Sequence, residues 1–500
     1  MEKHVPHGCP PRVLLFPFSE QGHVNPFLKL AELLGLGGVH VTFLSTYYIH
    51  NRLLLHSDVQ SRFKTYPGFI FKAISDGLPD DHPRSGEKSY EFFKALNVVT
   101  KKLLKHMLAS DELGSDISPS VTCIIADGLL AEFTTNIATE LHIPIIHFHV
   151  ISACAVWALF SIPNLIENGE LPIRGKEDMD KLVTGVPSME GLLRFRDLPS
   201  FCRTSDVKDP ILQGIARESR QCTRAQGLIL NTFEELEGPI LSHLRTHCPN
   251  VYPIGPKHTH LKLKLAKKEV ISVQSTNSLF KTDRSCMAWL DAQPLKSVMY
   301  ASFGSVAVLT RDELIEFWYG LVNSKKRFLW VIRPDFYKQG DDAKDVLAEL
   351  LEGTKERGYL VGWAPQEEVL EHPAVGGFLT HSGWNSTMES AVAGVPMICW
   401  PRRADQQVNS RYVSEVWKIG LDMKDVSDRK VVEKMVNEVM VERREELVNA
   451  ADEMCKLAVK SVSEGGSSHC NFDRLIEDIY KMNKKPCMKS ETNEYVVDEL

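Results

Sequence analysis

The chain has 500 residues, more than one ordinary core sustains, and at about 150 residues per domain it predicts two or three domains. Apolar residues at 43%, charged residues at 25%, and near-background Gly (31) and Pro (26) exclude collagen-like and broadly disordered chains. The net charge of −7 leaves no cationic excess to hold a nucleic-acid backbone, so an anionic ligand must be held by local dipoles and a few side chains.

Residues 12–18, RVLLFPF, form an apolar run suited to a buried parallel strand. The polar turn SEQGH follows. Asn25-Pro26 then predicts a helix start, with Asn as N-cap and Pro at the first helical position. Phe27, Leu30 and Leu34 give that helix one apolar face, and Gly35, Gly37 and Gly38 end it. VHVTFLS (39–45) is the next strand and completes a βαβ unit with an expected right-handed crossover. VTCIIA (121–126), a helix over 129–141, IPIIHFHV (143–150) and QGLILNTF (226–233) continue the series. The pattern predicts a first doubly wound α/β domain over 1–250. Residues 251–284 turn polar and Lys-rich without a clear period and read as an interdomain linker. A second series fills 285–480, with strands at 297–303, 327–332, 359–363, 376–381 and 394–400 and helices at 311–323, 407–417 and 429–440. The final helix is expected to return to the first domain. The polar residues 481–500 read as a frayed tail. The fold class is therefore α/β, with two Rossmann-like doubly wound domains facing a cleft.

The N-terminus MEKHVPHGCP lacks a signal-peptide apolar core. The longest apolar stretch, Val150 to Pro163, is broken by Ser152 and Ser161 and is too short to span a bilayer. Eleven scattered cysteines contain no C-x-x-C pair, which suits a reducing compartment and argues against a zinc site. A monomeric, cytoplasmic protein is expected. Asp178-Met179-Asp180 spells D-x-D, but it lies in a charged run instead of following an apolar strand, so no metal is expected there.

The stretch 363–406 is the most informative. GGFLT is a strand, His381-Ser382-Gly383 a tight turn, and STMESAVAG a helix closed by Gly394 with Pro396 beyond. A turn of small residues between strand and helix presents free N–H groups and the positive end of a dipole, which suits a pyrophosphate. His381 and Ser386 add donors, Trp363 a flat face for a base, and Glu389 two oxygens for a ribose diol. Asp405 and Gln406, past a strand end, suit sugar hydroxyls. Spacing alone also allows plainer readings: Ser386 and Glu389 as a capping box, Trp363 as core, His381 as a structural histidine.

A second constellation joins two distant positions of the first domain. His23 follows the first strand and Asp127 follows strand 121–126, and the C-terminal ends of strands in an open parallel sheet share one crevice. A neutral imidazole there can take a proton from an alcohol, and a carboxylate on its far nitrogen fixes the tautomer. The spacing equally suits a helix-capping Asp and an unrelated His.

The whole string 363–406 resembles, over 44 positions, the signature box of plant family 1 UDP-sugar glycosyltransferases. QGHVNP (21–26), the WLD…SVMYASFGS segment (289–305), FLWVIRP (328–334) and GGSSHCN (465–471) are similar to that family too. The resemblance implies the two-lobed GT-B fold and an inverting, metal-independent transfer of glucose from UDP-glucose to a hydroxyl or carboxyl of a small lipophilic plant metabolite. No cofactor and no metal are implied, because the UDP-sugar is a co-substrate. It implies that Trp363 stacks on uracil and that Ala364 and Gln366 lie against base and ribose. Glu389 would bind the ribose, and His381, Asn385, Ser386 and Ser305 the diphosphate. Trp384, Asp405 and Gln406 would read the sugar. His23 would be the base and Asp127 its partner.

Two positions depart from the family pattern. Ser382 replaces the usual Cys, and Arg403, after Arg402, stands where an aromatic residue is more common. Either both guanidinium groups point to solvent, or one faces the donor sugar and accepts a carboxylate, as in UDP-glucuronic acid. UDP-xylose also stays open as donor. On the acceptor side, Phe18, Phe148, Trp157 and Phe201 are candidate pocket residues. Segment 185–201 resembles a sub-branch that includes glucosyltransferases of the iridoid 7-deoxyloganetic acid, which implies Arg194 or Arg196 as partners for an acceptor carboxylate. Flavonoid or phenolic acceptors are the alternative. Two other classes compete: a nucleotide-sugar-binding protein without turnover, and a nicotinamide oxidoreductase. The latter is disfavoured because Gly35-Leu36-Gly37-Gly38 ends a helix instead of joining a strand to one.

Overall fold

The computed structural model describes residues 9–84, 88–114, 120–267, 277–333, 354 and 357–483. The tail residues 484–500 and linker residues 268–276 lie outside the described residues. The front lobe holds β1 (Arg12–Phe16), β2 (His40–Thr46), β3 (Ile70–Ile74), β4 (Cys123–Asp127), β5 (Ile145–His149), β6 (Gly227–Leu230) and β7 (Val251–Pro253). They form one sheet in the order β3-β2-β1-β4-β5-β6-β7, paired in parallel. The rear lobe holds β8 (Val298–Ser302), β9 (Arg327–Val331), β10 (Gly358–Val361), β11 (Val375–Thr380), β12 (Met397–Cys399) and β13 (Gly420–Asp422). Their order is β10-β9-β8-β11-β12-β13, also parallel.

Burial explains why the central strands read as unbroken apolar runs. In β1, Val13 and Leu15 pack into one core with Phe27, Leu30 and Leu34, while Leu14 and Phe16 pack into another with Ile124 and Phe133. Helices thus cover both sheet faces, which favours apolar side chains at the central strand positions. Within each lobe the chain winds outward from its first strand, then returns to that strand's other side. The reversal falls between β1 and β4 in front and between β8 and β11 behind. Such a switch point leaves a crevice at the strands' C-terminal ends, because the flanking helices diverge there.

Three elements differ from the sequence reading. The first helix runs Gln21–Leu36, so it starts before Asn25, and Pro26 lies inside it. Its first turn therefore already contains His23. Within the stretch read as a featureless linker, β7 belongs to the front sheet, and Lys257–Lys267 is a helix that buries Lys257, His258, His260 and Leu261. Cationic residues on that buried face hid its amphipathic period. The last described helix, Ser467–Met482, packs Phe472, Leu475 and Ile479 into the front-lobe core. There Tyr252 Oη donates to Asp478 at 2.8 Å and Tyr480 Oη donates to the Gly38 carbonyl at 3.1 Å.

Candidate active site

The two switch points face each other across a cavity of about 1480 Å³. His23, in the first turn after β1, and Asp127, the last residue of β4, meet at the front switch point. His23 Nδ1 lies 2.7 Å from Asp127 Oδ2. The same Oδ2 accepts the Phe18 N–H at 3.2 Å, and Oδ1 accepts the Leu129 N–H at 3.0 Å. These contacts hold the carboxylate as an acceptor, so Nδ1 carries the proton and Nε2 is the free base. Burial pushes the His23 imidazolium down. The charge and hydrogen bond of Asp127, with Glu20 and Asp405 beyond, outweigh it, and the net shift is upward from 6.5. The Phe18 ring meets the imidazole edge-on at 5.3 Å.

At the rear switch point, Ser305 follows β8 and His381 follows β11. Burial, reinforced by nearby Arg333, pushes His381 down to about 4, which leaves it neutral. Among the described residues its Nδ1 has no hydrogen-bond partner. Two glycines clamp the ring: a Cβ on Gly304 (φ +72°) or on Gly383 would fall 2.5 Å from Nε2. The helix Trp384–Val392 starts here with Gly383 as its N-cap. Ser386 is thus the third helical residue, and the capping-box reading of Ser386 and Glu389 is set aside. Gln366 instead donates to both, 2.8 Å to Ser386 Oγ and 2.7 Å to Glu389 Oε2. Burial and the Glu367 charge push Glu389 up to about 7. Trp363 is stacked on Phe280, centroids 4.5 Å apart, and itself borders the cavity, as does Ala364.

The Trp384 indole is turned into the protein, donating to the Asn231 carbonyl at 3.0 Å, so only its backbone is left at the start of the helix. Asn385 Nδ2 donates across the cleft to the Gly22 carbonyl at 2.7 Å. Asp405 accepts from Asn409 Nδ2 at 2.7 Å, and burial pushes its carboxyl up to about 6. Gln406 Oε1 accepts the backbone N–H groups of Arg402 and Arg403 at 2.8 and 2.9 Å, which leaves its NH₂ group for the cavity. Every residue named for the donor side borders this cavity, together with His23.

The acceptor side departs from expectation. Phe18 and Phe201 border the cavity, but Phe148 and Trp157 do not. Phe148 is fully buried against Phe27 at 4.8 Å, beneath the Lys257 ammonium. Trp157 donates to the Pro187 carbonyl at 2.8 Å and stacks on Phe160. Val150 and Ile151, just past the end of β5, reach the cavity in their place, with Leu129, Tyr90 and Phe93. Position past a strand end was a usable signal for Val150, Ile151 and Leu129, whereas nothing local marks Tyr90 or Phe93. Arg194 and Arg196 do not reach the cavity. Arg194 is bound to Asp197 at 2.8 Å and Arg196 to Asp180 at 2.8 Å. In the D-x-D run, Asp178 pairs with Lys181 at 2.5 Å and Asp180 with these arginines, an arrangement that neutralises the carboxylates. Among the described residues no group of His, Cys, Asp and Glu is placed to hold a metal ion. Arg402 and Arg403 both border the cavity, and Arg402 also pairs with Glu313 at 2.7 Å and lies over the Trp400 ring.

The sequence reading missed Glu20, which borders the cavity beside His23. It also missed the Lys29–Glu367 ion pair between the lobes, where burial opposes ionisation of Glu367 but the Lys29 charge holds its carboxyl below the usual range. A third omission is Asn409, which joins Ser152 of the front lobe (2.7 Å) to the Ser382 carbonyl (2.9 Å).

Comparison with known proteins is consistent with this geometry. The family described as "UDP-glucoronosyl and UDP-glucosyl transferase" matches residues 259–449. The chain is 56% identical to a "7-deoxyloganetic acid glucosyl transferase" of Catharanthus roseus, covering 94% of this chain and 98% of that one. It is 43% identical to a myricetin 3-O-rhamnoside 1,2-glucosyltransferase of Crocosmia x crocosmiiflora, over 97% and 98%. Among solved structures it is similar to Os79 of O. sativa in complex with UDP: TM-score 0.76, 27% identity, covering 93% of this chain and all of that one. A Medicago truncatula protein complexed with UDP-glucose gives TM-score 0.76 and 25% identity, over 94% and 98%.

Proposed function

Because the chain belongs to the plant branch of the UDP-glucoronosyl and UDP-glucosyl transferase family and has its GT-B fold, we propose that it transfers glucose from UDP-glucose to a hydroxyl of a small lipophilic metabolite, with inversion at the anomeric carbon, using His23 as base. The observation that carries this reading is the His23–Asp127 contact of 2.7 Å, facing His381 and Glu389 across one cavity. His23 Nε2 takes the acceptor hydroxyl proton as that oxygen forms its bond to the sugar C1. The bond from C1 to the UDP oxygen breaks, and its electron pair leaves on the diphosphate. Asp127 stabilises the imidazolium that results. The leaving diphosphate's charge falls to the first N–H groups of the Trp384 helix, with neutral His381 and Ser305 as further donors. Asp405 and the free NH₂ of Gln406 are assigned to glucose hydroxyls, Glu389 to the ribose, and Trp363 to uracil. No metal enters this scheme.

The acceptor reading is an iridoid or related terpenoid. It is supported by relatives named for 7-deoxyloganetic acid, 7-deoxyloganetin and a mogroside, and by the apolar front wall of Phe18, Phe93, Val150 and Phe201. We take the enzyme to act as a cytoplasmic monomer, as its family resemblance implies. Among the described residues no helix is long and apolar enough to cross a membrane.

A matrix of UDP-glucose, UDP-xylose and UDP-glucuronic acid against terpenoid and flavonoid acceptors, read by product mass, tests the substrate assignment. His23→Ala tests the chemistry: turnover should fall about 10²–10⁴-fold while UDP binding persists. Undiminished turnover would overturn the assignment of the base, and UDP binding with no product from any wild-type pairing would favour a binding protein.

A further inference from the structure

One peptide unit beside the proposed base is held from both lobes. In a regular helix each carbonyl accepts the N–H four residues on. Gly22 should be served by residue 26, but Pro26 has no N–H to give. The Gly22 carbonyl therefore lacks its regular i+4 donor, and Asn385 Nδ2 of the rear lobe donates to it at 2.7 Å. The N–H of the same peptide unit, that of His23, donates to the Glu20 carbonyl at 2.9 Å. The plane that sets the His23 Cα–Cβ direction is thus pinned at one end by the front lobe and at the other by the rear. Among the described residues the imidazole's hydrogen-bond partner is Asp127, on Nδ1.

We infer that Asn385 is a positioning residue for His23: its carboxamide, reaching across the cleft, holds the Gly22–His23 peptide unit at the carbonyl that Pro26 leaves unserved. Asn385 is the second residue of the helix whose N-terminus borders the donor half of the cavity. The base is therefore aligned only when the two lobes are together, and the lobe that holds the donor is the one that aligns it. This inference rests on His23 being the base.

Its signature is a loss in turnover at saturating substrates, because a misdirected base lowers transition-state stabilisation without weakening ground-state binding. Asn385→Ala should lower kcat about tenfold or more, a larger factor than any rise in the donor KM or the UDP Kd that follows from its implied place at the diphosphate. The acidic limb of its pH profile should stay in place, because the Asp127 contact survives. Pro26→Ala restores an N–H that competes for the Gly22 carbonyl. It should lower kcat about threefold, and the double variant should be no worse than Asn385→Ala alone, the non-additivity expected of one shared contact. Within a His23→Ala background, Asn385→Ala should lower kcat by a clearly smaller factor than it does in the unmodified enzyme, because the positioning contribution is already gone. A UDP Kd raised tenfold with kcat retained would show that Asn385 acts on the donor instead, and additive losses with Pro26→Ala or His23→Ala would equally overturn the inference. Full turnover by His23→Ala alone would remove the base assignment itself, a failure distinct from these.

Discussion

The free nitrogen of His23 and the neutral ring of His381 are opposite outcomes of burial. Both histidines are half-buried at the cavity wall, but His23 has a carboxylate at hydrogen-bond distance and His381 has a guanidinium nearby. The first therefore moves up and the second down to about 4. As the proposed base, His23 works in its neutral form, so kcat/KM should fall as pH drops through a value above 6.5. Asp127→Ala removes the largest upward influence while burial remains, so the acidic limb should move to lower pH and the plateau should drop about 10²–10³-fold. A limb that stays in place in a pH–rate series would contradict the pairing. Gly304 is the second residue to probe. Ala there adopts a left-handed backbone at a cost of about 1–2 kcal/mol and displaces the His381 ring. UDP affinity should fall about tenfold by titration calorimetry, while the fold is retained. At this scale the motif around His381 made the donor side readable, since residues adjacent on one turn must share its surroundings. Phe148 and Trp157 were misplaced because an aromatic residue in an apolar run carries no mark of which sheet face it serves.

Strands and helices set how far apart the lobes stand. Asp197, wholly buried in the front lobe, accepts from Arg194 and lies 2.8 Å from Lys424 of the rear lobe. Arg203 reaches Asp425 at 2.9 Å beside it. The arginines expected to meet a substrate carboxylate belong instead to this seam, a distinction that chain order cannot make because Asp422, Lys424 and Asp425 are more than two hundred residues away. Asp197→Ala removes the 2.8 Å partner of the buried Lys424 ammonium, which keeps Asp422 at 3.2 Å and the Gln407 carbonyl at 2.9 Å, and should cost about 1–3 kcal/mol in urea unfolding. Burial raises the Asp197 carboxyl, but Arg194 and Lys424 more than offset this and hold it below 3.8. A depressed carboxyl stabilises above its unfolded value near 3.9 and loses that contribution as pH falls further, so acid unfolding should begin at higher pH in the variant. Identical midpoints in acid titrations of the two proteins would argue against the seam.

At the level of the molecule, the two lobes are tied by chain as well as by contact. The Ser467 helix leaves the rear lobe and buries Phe472 under the front sheet. Phe472→Ala should cost about 3–5 kcal/mol. Unfolding should remain one transition in scanning calorimetry, raised as a whole by about 2.7 kcal/mol when UDP is present at a hundred times its Kd. Two peaks, of which UDP moves just one, would mean that the lobes are energetically separate. The existence of two parallel α/β lobes could be read along the chain, because runs of apolar residues punctuated by amphipathic helices have few other stable packings. So could the donor motif, whose groups are neighbours in sequence. Helix starts, the composition of the cavity's front wall, the partners of the arginines and the clasp on Gly22 became visible only in three dimensions. Each depends on residues brought together from distant parts of the chain, and a linear pattern records what a residue prefers without recording what will stand opposite it.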